Sequence, residues 1–142
     1  MYQKIGTYPG DLASLVEAMH RLHPKPTLPL GYLTTDAEAT LQIYRPLLQD
    51  FFPGEWIKCF LSIVWPNGGT IMAHADMDVA DHDRRHLVLK TNSDSWSMHD
   101  GGVQQLDAGG VYTMDATKIH AAMNWGTDVR VHFVVDRRKN AQ

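Results

Sequence analysis

Val129-Arg130-Val131-His132-Phe133-Val134-Val135-Asp136 is the stretch that decides the fold class. Successive side chains of a strand point to opposite faces. Val129, Val131, Phe133 and Val135 therefore share one face, and Arg130, His132, Val134 and Asp136 share the other. The apolar face suits a covering layer of helices. The other face carries an arginine, a histidine and an aspartate, and a buried charge needs a partner. It reads as the inner wall of a barrel that holds something polar. The alternative at this point is an arginine paired with a nearby aspartate, or one exposed at the strand's start.

Working outward, residues 56–65, 70–76, 86–91, 103–106, 111–114 and 121–125 are further strand candidates. Pro66-Asn67-Gly68-Gly69, Asp100-Gly101-Gly102, Asp107-Ala108-Gly109-Gly110 and Gly126-Thr127-Asp128 supply turns. The N-terminal part has a different texture. Asp11 can cap a helix that runs to about His23, with Leu12, Leu15, Val16, Met19 and Leu22 on one stripe. A Pro-rich break at residues 23–29 ends it. A second helical stretch starts near Thr35 or Asp36 and reaches Phe52, and Pro46 is expected to split it into two short helices. Helices followed by about seven short strands predict an α+β protein, mainly β, built as a sandwich or barrel with N-terminal helices packed on it. We expect one domain over residues 1–142, with a helical part at about 1–55 and a β core at about 56–136.

Composition narrows the function classes. A formal net charge of −3 gives no general attraction to nucleic acid or anionic membrane. No segment has the roughly 20 apolar residues of a membrane span, and the N-terminus lacks the apolar run of a signal peptide. One cysteine, Cys59, forbids an internal disulfide and fits a reducing compartment. The expectation is a cytoplasmic protein with a small-molecule or peptide substrate and no membrane or nucleic-acid partner. Nothing in the sequence speaks to oligomeric state.

Eight histidines raise a metal question. His74-Ala75-Asp76 places an imidazole and a carboxylate two residues apart, on one face of a strand. His120 lies beside another predicted strand. Two histidines and one carboxylate form the set that holds non-haem Fe(II) on one side and leaves the other side open. The same residues also suit a catalytic zinc, a surface polar pair with an unrelated interior histidine, or a cupin-like isomerase or ligand binder. Gly68, Gly109 and Asn124 fall loosely at cupin spacing. Arg130, ten residues past His120, adds a cation suited to a dicarboxylate.

The run from Ser62 to Asp136 resembles the catalytic core of the aspartyl/asparaginyl β-hydroxylases. Leu61-Ser62-Ile63, Pro66-Asn67-Gly68, His74, Arg84-Arg85-His86-Leu87-Val88-Leu89, Gly109-Gly110, Asp115, His120 and Arg130-Val131-His132-Phe133-Val134-Val135-Asp136 carry the resemblance. It implies a double-stranded β-helix and an Fe(II)- and 2-oxoglutarate-dependent dioxygenase that hydroxylates a C–H bond and consumes O2. By the same resemblance His74 and His120 bind iron, Arg130 pairs with the distal carboxylate of 2-oxoglutarate, and Arg84, His86 and Ser62 contact the cosubstrate. The animal members of that family lack a carboxylate two residues after the first histidine. Asp76 departs from them and completes the triad of the wider oxygenase superfamily, which loosens the inference to their substrate, a protein Asp or Asn. A free amino acid or other small molecule stands close behind it for so compact a chain.

Several other residues carry weaker signals. His132 shares a face with Arg130 and is a candidate for orienting the ligand histidines, or an ordinary interior histidine. Asp78, Asp81, His82 and Asp83 read first as a solvated loop, with a second cation site or a substrate lid as alternatives. Trp65, Trp96 and Trp125 either line the site or pack the sheets. His99 is expected in an exposed turn and Arg137-Arg138-Lys139 in a solvated tail.

Overall fold

The computed structural model describes residues 1–22, 24–28 (backbone) and 31–139. Its core is two antiparallel sheets packed face to face as a double-stranded β-helix. In chain order the strands are β1 Gln3–Thr7, β2 Pro24–Leu28, β3 Tyr32–Thr35, β4 Trp56–Val64, β5 Gly69–His74, β6 His82–Lys90, β7 Ser95–His99, β8 Gly102–Gln104, β9 Gly110–Thr113, β10 His120–Asn124 and β11 Arg130–Arg138. The large sheet has the order β1-β9-β6-β11-β4-β3-β2, and the small sheet β5-β10-β7-β8.

β11 lies at the centre of the large sheet, between β4 and β6. Its alternation organises both layers. Val131, Phe133 and Val135 join the main apolar core with Leu15 of α1 (Leu12–Ala18) and Tyr44 and Leu48 of α2 (Ala37–Leu48). Phe133 stacks against Phe52 and meets Tyr44 and Trp56. The opposite face of β11 turns toward the small sheet, where Arg130 and Val134 line a cavity.

Both helices start as their caps dictate. Asp11 accepts from the Ala13 amide at 3.0 Å, and Asp36 from the Ala39 amide at 3.0 Å. The first ends sooner than its apolar stripe suggests. After Ala18 the chain tightens into a 3-10 turn at Met19–Arg21, and Leu22 is extended yet buried. The expected end at His23 lies outside the described residues. The second helix is continuous through Pro46, against the expectation of two short ones. Proline removes one hydrogen bond near the helix's end, while Tyr44 and Leu48 on either side are fully buried. The Tyr44 hydroxyl also donates to the Leu15 carbonyl at 2.7 Å, tying the two helices together.

Four strands were not expected from the sequence: β1, β2, β3 and β7. The Pro-rich break contains β2, which pairs with β3 at the sheet's edge, the place in a sheet where proline is tolerated. His99 is no exposed turn residue. It is buried on β7, pairs with His120 across the ladder and bonds the Asp115 carbonyl through Nε2 at 2.7 Å. Arg137 likewise belongs to β11 and is buried, donating to Asp83 at 2.9 Å. No helix of the described residues is long and apolar enough to cross a membrane.

Candidate metal centre and anion pocket

β5 and β10 are neighbours in the small sheet, and their register sets His74 directly opposite His120. The two imidazole rings stand 4.3 Å apart, centroid to centroid. Asp76 lies just past β5, where its amide donates to the Ala116 carbonyl at 2.8 Å. That bond brings the carboxylate back over the two rings, although Asp76 itself is not in the strand. Asp76 Oδ1 is 3.5 Å from His74 Nε2, and Oδ2 is 3.4 Å from His120 Nε2. One ligand atom from each of the three residues falls within 4.8 Å of the others, a grouping able to hold a metal ion.

The histidine tautomers are fixed by the backbone. His74 Nδ1 lies 2.8 Å from the Met72 carbonyl, and His120 Nδ1 2.8 Å from the Lys118 carbonyl. A carbonyl only accepts, so each Nδ1 carries the proton and each Nε2 presents its lone pair to the shared point. This is how metal-binding histidines are commonly held. Where His120 also takes up a proton on Nε2 in the metal-free site, that N–H bonds Asp76, and this bond, with the charges of Arg84 and a protonated His74, lowers the Asp76 pKa to about 2 against the cost of burial. A metal ion at the shared point would take the place of any Nε2 proton and meet two imidazole nitrogens and one carboxylate, a donor set that fits Fe(II).

The centre opens on a cavity of about 370 Å³ between the sheets. Arg130 lies in its wall, 4% exposed. Its Nη1 donates to Ser62 Oγ at 3.0 Å and to the Ser62 carbonyl at 3.2 Å. Burial lowers its pKa to about 10. Among the described residues, the other two buried arginines each hold an aspartate, Arg84 with Asp136 and Arg137 with Asp83. Arg130 holds none. A cation left so in a cavity wall fits an anionic ligand.

His86 also lines the cavity. Its Nδ1 is 3.1 Å from His132 Nδ1, and its Nε2 is buried without a partner. Burial holds the pKa of both imidazoles well below the usual histidine value. His132 thus touches His86, and among the described residues it makes no hydrogen bond or ring contact with His74 or His120, which favours the interior histidine of the two readings. Arg84 lines the cavity too, but three of its hydrogen bonds go to carboxylates, two to Asp136 and one to Asp76.

Two wall residues carried no signal in the sequence. Tyr2, reached through β1, packs edge-on against His86, and Tyr32 comes from β3. No strand was expected from the sequence in either segment, so nothing pointed them inward. Trp65, Trp96 and Trp125 are exposed and absent from the cavity wall. The acidic loop divides. Asp78 reaches the cavity, Asp83 pairs with Arg85 and Arg137, and Asp81 is exposed. Asn124, which suggested cupin spacing, is fully buried and spent on structural bonds to Val64, Asp128 and Gly126.

The model of the aspartyl/asparaginyl β-hydroxylase family matches residues 35–140, most of the chain. The chain belongs to that family. The match begins well before Ser62, so α2 and β4 are part of the shared domain and not an unrelated addition. No curated protein matches the sequence. Among solved structures, a 2OG-Fe(II) oxygenase family oxidoreductase from Burkholderia pseudomallei superposes with a TM-score of 0.68 at 14% identity, covering 99% of this chain and 85% of that one. A Pseudomonas putida prolyl-4-hydroxylase gives 0.59 at 15% identity, covering 98% and 93%. KdgF from Halomonas sp. gives 0.53 at 12% identity, covering 96% and 97%. These likenesses establish the shared fold.

Proposed function

We propose that this protein is an Fe(II)- and 2-oxoglutarate-dependent dioxygenase that hydroxylates a C–H bond, and that residues 1–142 form one catalytic domain. The carrying observation is Arg130, a buried cation without a carboxylate in the cavity that also holds His74, Asp76 and His120. A dicarboxylate cosubstrate accounts for both ends of that cavity at once. Its keto-acid end suits the metal, and its distal carboxylate suits Arg130 and the Ser62 hydroxyl.

Each residue then has a defined task. His74 Nε2, His120 Nε2 and one oxygen of Asp76 hold Fe(II). Together with 2-oxoglutarate and O2, the bound iron supplies the oxidation, in which one oxygen atom enters the substrate C–H bond and the other ends in succinate as CO2 leaves. Arg130 binds and orients the cosubstrate. The unpartnered Nε2 of His86 offers it a further polar contact. Ile71, Ala122 and Val134 give the cavity apolar walls that exclude water. Because the two ligand histidines are locked as Nδ1–H tautomers, neither serves as a proton shuttle. Family membership makes a protein Asp or Asn side chain or a free amino acid the substrate class to test first.

Anaerobic addition of Fe(II) and 2-oxoglutarate tests the reading. A visible charge-transfer band, followed by succinate formation once air is admitted, is expected. Two histidines and a carboxylate on this β-helix equally suit a cupin-type metalloprotein that does not use 2-oxoglutarate, the second reading. Metal loading without the band, and no succinate with any candidate, would favour it.

A further inference from the structure

Arg84 is nearly fully buried on β6, with its guanidinium 5.5 Å from the centre of the Phe60 ring. Nε and Nη2 donate to the two oxygens of Asp136 at 2.7 and 2.8 Å, a two-point fork. Nη1 donates to Asp76 Oδ2 at 3.0 Å. Arg84 and Asp136 are cross-strand partners in the β6–β11 ladder, so the sheet's own register puts them together. Asp136 is completely buried, and Lys58 at 3.9 Å and His82 Nδ1 at 3.4 Å add to its anchorage.

This arrangement constrains Asp76 through one oxygen. Oδ2 takes the Arg84 hydrogen bond and lies 3.4 Å from His120 Nε2, while Oδ1 faces His74 Nε2 at 3.5 Å. We propose that Arg84, anchored by Asp136, is the positioning residue of Asp76, holding Oδ2 so that the carboxylate keeps one orientation between His74 and His120. The proposal rests on the assignment of His74, Asp76 and His120 as the metal site. A carboxylate free to turn can close both oxygens on an ion and take a coordination position that a cosubstrate needs. A guanidinium fixed on one oxygen opposes this turn. The fork to Asp136 holds the guanidinium plane, and the Phe60 ring supports its face. Three of the five N–H groups of Arg84 are thereby committed to carboxylates. This differs from the cosubstrate contact that the family resemblance implies for Arg84.

Co(II) binding by chelator competition, on variants shown to be folded by circular dichroism, tests it. Arg84→Gln and Asp136→Asn are each expected to weaken Co(II) affinity by about 10- to 100-fold, the scale found for groups that orient metal ligands. Arg84→Lys, which keeps the charge, is expected to lose less. In an Asp76→Ala background, Arg84→Gln is expected to add little further loss, because its effect runs through Asp76. A role confined to packing predicts additive losses there, and that result overturns the proposal. Wild-type Co(II) affinity in Arg84→Gln with loss of 2-oxoglutarate binding alone also overturns it, in favour of a cosubstrate contact. Should Arg84→Gln fail to fold, Arg84→Lys and Asp136→Asn carry the test, and wild-type affinity in both refutes it. His74→Ala separates the two layers. Unchanged Co(II) affinity in that variant refutes the metal site itself.

Discussion

Arg130 donates twice to Ser62, to the hydroxyl at 3.0 Å and to the carbonyl at 3.2 Å, and to no carboxylate among the described residues. Both acceptors are neutral, so the desolvation of the guanidinium is only partly offset. The protein without its ligand holds a costly charge in a place where a dicarboxylate would relieve it. Function and stability are then opposed at this position. Arg130→Met is expected to raise the stability of the metal-free protein by about 1–3 kcal/mol, within the range seen when buried charges give way to packed apolar groups. It should also abolish 2-oxoglutarate binding. Chemical denaturation and calorimetry with the cosubstrate check the two halves. A less stable Arg130→Met that still binds 2-oxoglutarate would remove Arg130 from the anion site.

The paired His74 and His120 should show their locked tautomers directly. Long-range proton–nitrogen correlation spectra of the metal-free protein above pH 7.5 are expected to show Nδ1–H for both, since each Nδ1 faces a backbone carbonyl. Replacing either by alanine should cut metal affinity by at least about tenfold. Nε2–H tautomers in both rings would mean that the lone pairs point away from the shared centre.

Much of this architecture was legible, because its cause is local. The alternation in residues 129–136 foretold which side chains of β11 meet the helices and which meet the cavity, and Phe133 and Arg130 lie accordingly. Asp11 caps α1 as its side chain suggests. The triad's meeting was a matter of cross-strand register, which no local pattern states. His74 opposes His120 because β5 and β10 pair in that register. The failures have the same origin. His99 looked like a turn residue beside Asp100-Gly101-Gly102 and is instead the buried last residue of a strand. Tyr2 gave no sign of lining the cavity because two contacts distant in sequence place it, the reciprocal bonds of its backbone with the Gln104 side chain at 2.7 and 3.1 Å. Pro46 argued for a break that tertiary packing overrode at Tyr44 and Leu48.

The His86–His132 pair predicts an acid-sensitive fold. Burial pushes both imidazole pKa values below the usual 6.5. Below that pH the unfolded chain takes up protons that the folded chain refuses. The contribution to stability is therefore present above pH 6.5 and is lost as pH falls, at about 1.4 kcal/mol per pH unit for each histidine. In metal-free protein, His132→Leu is expected to make the fall in denaturation midpoint between pH 6.5 and 5 clearly shallower than in the wild type. An unchanged slope would show that this pair accepts protons in the folded state.

Cys59 gives the corresponding statement at high pH. It sits on β4 with no exposed surface, and burial, helped by the negative charge of Asp136, pushes its thiol pKa up to about 12. Burial also raises the Tyr44 phenol. Both groups stay neutral in the folded protein at a pH where the unfolded chain ionises. Their contribution to stability is thus intact below the unfolded thiol value, about 8.5, and is lost as pH rises toward the folded one. Two outcomes follow. At pH 8 the native thiol should resist an aromatic disulfide reagent, with labelling that tracks unfolding in urea, since the thiolate is the nucleophile. Above pH 9 the wild type should lose stability more steeply than Cys59→Ala. The alanine variant itself starts lower at neutral pH, because it leaves a small void beside Phe133 and its neighbours in the main core. The comparison therefore rests on the slope of stability against pH, and rapid labelling of the folded protein at pH 8 would contradict the buried, neutral thiol.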